Sequence, residues 1–576
     1  MASNYLFPIW GRMWASHYSI KKLLTFRPLQ SNSALEAQSN RIVHSSTQNV
    51  TRAVERSETH QSRGKASVEG KSKTRHNQDE PIPPAYTPAR ILGLILGPIL
   101  FALTMLFFNP ADLSSEGQAV LASTLWVATW WITEAIPIPV TSLLPVVLLP
   151  LSGALEGNTV VSAYGNDIIF LFIGGFSLAI AMEKWNLHQR VSLGIVSWIG
   201  VSPRRIVLGF MVATAFLSMW VSNTAATMMM IPVGLAVATQ AASSLNEEEH
   251  SSDLPKFEKS IVFGIGFAAT IGGLGTLIGT PPLAILSATV GELFGETISF
   301  GTWMMFGVPL VVALLLSTWF YLVSVRYKVS FRELPGGEEL IQEKRKGLGR
   351  MSFEEKTVLI VFLSVAFMWV TRSFIWQDFI PGITDGIIAI IATVVLFTLP
   401  AKSNDATNIL QWKDSVKLPW GILLLFGGGL AIAAGFVETG LSEWIGQQLR
   451  VIENADLIIV TVLVTTLVLF LTEITSNAAT ATMILPVIAA LALSIGVHPY
   501  ALMVPCAMAA NCAFMLPVGT PPNAIMFGTG KIRISEMVKT GFWVNAFALV
   551  LIVVSALYLM PTLWGIDVET IPLDFL

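Results

Sequence analysis

Of the 576 residues, 53% are apolar and only 13% are charged, with a mean hydropathy of +0.64. Soluble globular chains carry about 25% charged residues, so the composition excludes a soluble fold and defines a polytopic membrane protein of the all-α class. The net charge of -3, from 35 basic and 38 acidic residues, leaves no basic field of the kind nucleic acid requires. Two cysteines, Cys506 and Cys512, lie in one apolar segment. Their number and place exclude a disulfide framework or a zinc site and read as small buried side chains.

Residues 1–85 form the first segment, rich in Ser, Gln, Thr, His and Arg. Its first 80 residues hold 12 Lys/Arg against 6 Asp/Glu. Tyr5 to Leu24 is a weak basic amphipathic stretch of the organellar targeting type; the alternative is a disordered cytoplasmic tail with too few apolar residues to offset its ordering entropy. After the PIPPAYTP punctuation at 81–88, hydropathy predicts spans near 91–108, 117–133, 138–152, 166–183, 261–283, 302–325, 357–375, 385–400, 419–438, 500–527 and 541–561. Two further apolar stretches, 206–241 and 457–495, are each interrupted by a polar cluster. Unpaired backbone in hydrocarbon is tolerated only inside protein or beside water, so both read as re-entrant helix hairpins. The domain plan is therefore a first membrane repeat over 86–325, a cytoplasmic linker over 326–356 and a second repeat over 357–576. With the N-terminus inside, 21 of the 23 basic residues after the tail fall on the inner face and only Arg372 and Arg450 on the outer. That asymmetry predicts eleven spans with the C-terminus outside.

Ser222 to Val233 reads SNTAATMMMIPV and Ser476 to Val487 reads SNAATATMILPV, six of twelve positions being identical at an offset of 254. A Gly pair precedes each (Gly174 and Gly175; Gly427 and Gly428), and a Gly-Thr-Pro-Pro turn follows each (Gly279–Pro282; Gly519–Pro522). With the hairpins on opposite faces, the repeats are of inverted topology, an architecture of secondary transporters with a midplane site. Ser and Asn at the tips offer oxygens to a hard cation, and Pro after Gly-Thr breaks the helix and frees carbonyls to join them. The same tips point helix N-termini toward an anion.

The residues SNTAATMMMIPV, GTPPLA, TEITSNAATATMILPV and MLPVGTPPNAIMFGTG closely resemble the divalent anion/sodium symporter family of sodium-coupled dicarboxylate, citrate and sulfate transporters. FLFIGGFSLAIAMEKWNLHQR at 170–190 is similar to that family's fourth span and the arm after it. The resemblance implies a homodimer in which a scaffold part makes the dimer contact and a transport part, holding both hairpins, moves as an elevator. Carried over by motif, it implies one sodium site from Ser218, Ser222, Asn223 and the Gly279 carbonyl, and a second from Thr472, Thr475, Asn477 and the Gly519 carbonyl. The substrate would meet Asn223, Thr224 and Thr280 from one half and Ser476, Asn477, Thr520 and Pro521 from the other. Ala478 departs from the Ser-Asn-Thr pattern and removes a donor, and Asn523 adds polarity that Leu283 lacks.

The expected activity is sodium-coupled symport of a divalent anion, foremost a C4-dicarboxylate, with no cofactor beyond sodium as coupling ion and the cell membrane as location; the basic tail keeps an organellar membrane as the alternative. A dicarboxylate/2-oxoglutarate exchanger, a proton-coupled carrier and a sodium-sulfate symporter are alternatives of the same fold. No Lys, Arg or His lies in the motif segments, so a dianion needs bound cations to be solvated there. Glu473 reads either as a proton relay or as a brace for hairpin backbone. Asp167 and Glu438 read as solvated, Glu134 and Glu183 as span ends, and Trp130, Trp131, Trp303 and Trp543 as an interfacial belt. An enzyme is disfavoured, since HExxH, GxSxG and a GxxxxGK loop are all missing from the sequence.

Overall fold

The computed structural model describes residues 87–576 apart from 111, 201, 245–252, 331–336, 404–406, 450–454, 573–574 and 576. The N-terminal tail and its targeting alternative lie outside the described residues. Those described form helices, with a single isolated bridge between Pro400 and Asn408.

The chain runs through α1 (Pro88–Phe107) into α2 (Ser115–Thr133), where the Ser114 side chain caps the first turn by accepting from Gly117 N. The segment predicted as one span over 138–152 is instead a four-residue turn of helix, Ile138–Thr141, followed by α3 (Leu144–Leu151). Pro137, Pro139 and Pro145 withhold the N–H groups that a continuous helix would use there. Next come α4 (Asp167–Lys184) and α5 (Leu187–Ile199). The first predicted hairpin is α6 (Pro203–Ser218) and α7 (Asn223–Ser244), joined by four residues. Behind it α8 (Leu254–Gly272) runs through a 3-10 turn at Gly273–Gly275 and restarts as α9 (Pro281–Phe294). The halves are linked by α10 (Phe300–Phe320) and α11 (Gly337–Gly347). Below α11, Ser330 donates from both its N–H and its hydroxyl to Asp253, and Lys256 pairs with the same carboxyl, holding it well below the usual carboxylate range.

The second half begins with α12 (Phe353–Thr371), started by a capping box between Ser352 and Glu355, and α13 (Asp385–Thr398). It continues through α14 (Trp420–Glu438) and α15 (Leu441–Leu449) to the second hairpin, α16 (Leu457–Leu471) and α17 (Asn477–Ser494). Then α18 (Pro499–Asn511) unwinds, restarts as α19 (Pro521–Gly528), and α20 (Ile534–Val554) closes the fold.

Eight helices among the described residues are long and apolar enough to cross a membrane. Seven coincide with predicted spans and the eighth is Asn477–Ser494, a hairpin arm. The eleven predicted spans are not all continuous helices: 138–152 is divided, 261–283 and 500–527 are interrupted before their Gly-Thr-Pro-Pro restarts, Asp385–Thr398 is 14 residues long, and Ser115–Thr133 is not among the eight. Ile360, Leu363 and Phe367 form an exposed apolar stripe on α12, and Ile459, Leu463 and Leu467 another on α16. Stripes of this size on water-facing helices would be an aggregation liability; in lipid they are the expected surface.

Each hairpin packs on the broken helix of its own half, α6 and α7 on α8, α16 and α17 on α18. Each restarted arm then crosses over, α9 against α17 and α18, α19 against α7 and α8. Consequently α18 is buried along its whole length and α8 from Ser260 onward.

One reading of side chains is corrected. Trp131 and Trp303 are buried rather than interfacial, because each indole N–H is spent on an internal acceptor, Ser142 Oγ and the Leu274 carbonyl. Asp167 is exposed, as expected of a solvated carboxylate, and accepts from the Thr384 hydroxyl and Gly386 N on α13. Arg372 is buried beside Asp385 at 2.7 Å. Trp130 bonds the Gly93 carbonyl, and Trp543 is half exposed. Cys506 and Cys512 are buried free thiols.

Candidate functional site

The tip between α6 and α7 turns sharply enough for the end of one helix to touch the start of the next. Ser218 Oγ donates to Asn223 Oδ1 at 2.5 Å and lies 2.7 Å from the Ala269 carbonyl on α8. That amide position is also 3.2 Å from the Ala269 carbonyl and 3.3 Å from the Gly279 carbonyl. With the Asn223 oxygen inward, four oxygens crowd one point. Two things relieve such crowding: the amide turns over and donates to all three neighbours, or a cation sits among the oxygens.

The second tip repeats the pattern with a different hydroxyl. Thr472 Oγ1 donates to Asn477 Oδ1 at 2.7 Å and lies 2.6 Å from the Ala510 carbonyl on α18. Sequence spacing brought Ser218, Asn223 and Gly279, and Thr472 and Asn477, into these clusters. The Ala269 and Ala510 carbonyls were missed, because backbone oxygens leave no trace in residue type. Ser222 and Thr475 spend their hydroxyls locally, Ser222 accepting from Ala225 N and Thr475 bonding Thr480 and the Leu471 carbonyl.

Of the residues expected to meet substrate, Asn223, Thr224, Ser476 and Asn477 are half-buried and Pro521 is exposed. Thr280 and Thr520 are buried. The Thr280 hydroxyl donates to Asn511 Oδ1 at 2.6 Å, and the Thr520 hydroxyl caps α19 by accepting from Asn523 N. The Asn523 side chain is fully buried and ties the Ala513 and Leu516 carbonyls together. Ala478 is buried as well.

Glu473 behaves as a brace. Its carboxylate accepts from Phe514 N, Met515 N and Leu516 N, and from the Asn545 amide on α20 at 2.8 Å. Four donors on two oxygens is a pattern a carboxylate satisfies fully and a carboxamide does not. The first half holds its loop otherwise, with the Trp303 indole on the Leu274 carbonyl and the Thr276 hydroxyl on the Met219 carbonyl. In both halves a glycine lets a helix approach: a Cβ on Gly307 would run into the Leu274 carbonyl, and one on Gly541 into the Phe514 carbonyl.

Beside the first tip lies a cavity of about 380 Å³, reaching Val221, Ala225 and Ala226 and walled by Glu183, His188 and Gln189. Among the described residues no group of three or more His, Cys, Asp or Glu side chains could hold a metal ion. The oxygens gathered at the tips are neutral, and three helix N-termini, at Asn223, Pro281 and Asn477, meet around them through the Asn223–Gly279 and Thr280–Asn511–Asn477 contacts.

Paired helix hairpins with oxygen clusters at their tips, each backed by a broken helix in an apolar helical fold, define a multi-pass membrane transporter. The model of the sodium:sulfate symporter transmembrane region matches residues 89–565, and the chain belongs to that family, the divalent anion/sodium symporters. It is 54% identical over 493 residues to a protein of Staphylococcus saprophyticus named sodium-dependent dicarboxylate transporter SdcS, covering 85% of this chain and 95% of that one. A protein of the same name from Staphylococcus aureus is 54% identical over 487 residues, covering 84% and 94%. In fold the chain is similar to the crystal structure of the Alcanivorax borkumensis YdaH transporter, with a TM-score of 0.50 at 13% identity over 71% of this chain and 88% of that one.

Proposed function

We propose that the protein is a sodium-coupled symporter of C4-dicarboxylates, and the observation that carries this reading is the pair of matching oxygen clusters at Asn223 and Asn477. Their neutral oxygens suit a weakly bound, exchangeable cation rather than a resident metal. A dianion seated between the tips would face helix N-termini, two carboxamides and the Thr224 and Ser476 hydroxyls. No Lys, Arg or His lies in the tip motifs themselves, so its charge would be met there by the bound cations, which makes anion binding depend on sodium. Two sodium ions neutralise a dicarboxylate; a third would give a net positive load worth about 2.3 kcal/mol per charge per 100 mV. The names of the 54% identical relatives support the dicarboxylate over the sulfate alternative. The 380 Å³ cavity beside the first tip falls within the about 300–1,000 Å³ usual for small-ligand sites.

On this reading the hairpins belong to a moving transport part and the exposed stripe of α12 to a scaffold that makes a homodimer contact. The protein sits in the cell membrane with its N-terminus inside and its C-terminus outside, and it carries out no covalent chemistry. Uptake of radiolabelled succinate into proteoliposomes tests the proposal, with and without an inward sodium gradient and with citrate, sulfate and 2-oxoglutarate as competitors. Sodium-driven uptake supports it; uptake driven by a proton gradient alone, or only by internal substrate, overturns it. Asn223→Ala and Asn477→Ala each remove a cation-facing oxygen worth about 1.5–3 kcal/mol, so each should weaken sodium dependence by roughly 10- to 150-fold. Normal sodium dependence in both would remove the site assignment.

A further inference from the structure

We propose that Asn511 is a positioning residue that couples the two cation clusters, so that filling one prepares the other; this rests on the sodium-site reading above. Asn511 ends α18 and is 1% exposed. Its side chain bonds only to the opposite half: Oδ1 accepts from the Thr280 hydroxyl at 2.6 Å, and Nδ2 donates to the Thr270 carbonyl at 2.8 Å. Its backbone serves its own half, where its carbonyl accepts from Asn477 Nδ2 at 3.4 Å. Both ends of this bridge sit one residue from a cluster. Thr280 follows Gly279, and Thr270 follows Ala269, whose carbonyls border Asn223. Asn511 itself follows Ala510, whose carbonyl borders Thr472. The repeat equivalent of Asn511 is Thr270, whose hydroxyl is buried without a partner, so of this pair only the Asn511 side chain reaches across, alongside the packing of α9 on α17 and α18.

A cation that fixes the Gly279 carbonyl also fixes the peptide leading into Thr280, and with it the direction of the Thr280 hydroxyl. Held from that side, Asn511 holds the end of α18 and the carbonyls of Ala510 and Asn511 that Thr472 and Asn477 contact. The second cation then meets oxygens that are already ordered and pays less conformational entropy. By linkage the effect is reciprocal, and couplings of this kind amount to about 5- to 150-fold in affinity.

The test is sodium-dependent succinate uptake by reconstituted full-length protein, fitted for half-saturating sodium, Hill coefficient and maximal rate. Asn511→Ala should lower the sodium Hill coefficient toward one and raise half-saturating sodium about fivefold or more, with a smaller change in maximal rate at saturating sodium. Thr280→Val cuts only one arm and should show the same pattern more weakly, whereas Thr280→Ser keeps the hydroxyl and should restore cooperativity relative to Val. If Asn511→Ala does not reconstitute, Thr280→Val decides. An unchanged Hill coefficient and half-saturation overturn the proposal, as does a fall in maximal rate alone. Asn223→Ala and Asn477→Ala run in the same assay separate the two claims. If they leave sodium dependence intact, the site reading fails; if they shift it and Asn511→Ala does not, the site stands and the coupling falls.

Discussion

The two halves place a hydroxyl, a carboxamide and a helix carbonyl in matching positions around their tips and support them by different means. In the first, Ser218, Asn223 and the Ala269 carbonyl form the cluster; in the second, Thr472, Asn477 and the Ala510 carbonyl do. Behind the first tip the chain turns at Gly272–Gly275 and is held by neutral donors, Trp303 and Thr276. Behind the second it runs through the bulkier Cys-Ala-Phe-Met-Leu-Pro, and one carboxylate, Glu473, gathers three consecutive N–H groups. The position equivalent to Glu473 in the first half is Met219. What is duplicated is the hydroxyl, amide and helix-carbonyl set; the Gly279 carbonyl joins the first cluster, the expected Gly519 carbonyl has no such contact among the described hydrogen bonds, and the scaffolding has diverged.

The largest effect that would break this contrast is at Glu473. Replacing it by Ala leaves the buried Phe514 N–H, the part-buried Met515 and Leu516 N–H groups and the buried Asn545 amide without their acceptor, at up to about 1–3 kcal/mol each, a large share of the stability of a typical domain. Glu473→Ala should therefore give no foldable transporter by thermal unfolding in detergent, and Glu473→Gln a folded but destabilised one. Met219→Ala, at the matching position, removes packing alone and should lower the midpoint far less. Equal losses at both positions would mean the halves are braced alike.

A smaller effect is expected on the first side. Trp303→Phe keeps the ring in its buried place and removes one indole donor, leaving the Leu274 carbonyl unpaired at a cost of about 1–3 kcal/mol. The same thermal assay should show a shift well short of Glu473→Ala, and sodium dependence should move in the same direction as for Asn223→Ala. A Trp303→Phe protein indistinguishable from the parent would show that the glycine-rich turn holds itself.

Much of this is legible in the amino-acid sequence. The broken hairpins appear because Ser-Asn pairs are costly in an apolar run unless they serve a site, and Asn223 and Asn477 do gather oxygens. Gly-Thr-Pro-Pro announced the helix breaks because Pro withholds an N–H. Continuous-helix length was read less well: hydropathy averages over 138–152 and 500–527 and is blind to whether the backbone inside is continuous. The Trp303 and Trp131 assignments failed because an indole at a span end and an indole donating into the core have the same hydropathy. Asn511 left one signal, a lone amide at the end of thirteen otherwise mostly apolar residues, the same cue that marked the tips. The carbonyls of Ala269 and Ala510 left none.

The smallest test concerns Ala478, where the second tip departs from the first. Its counterpart Thr224, the second residue of α7, is half-buried, whereas Ala478 is buried at the second residue of α17. Restoring the pattern with Ala478→Thr adds one methyl and one hydroxyl at a helix N-terminus. If that position faces the anion, the new donor contributes about 0.5–1.5 kcal/mol, a roughly two- to tenfold fall in the substrate concentration for half-maximal uptake. The gain should differ between succinate and sulfate, because a tetrahedral anion and an extended dicarboxylate reach the two tips differently. A change in stability with no change in either half-saturation would place residue 478 behind the site, and the difference between the two tips would then lie in packing rather than in anion choice.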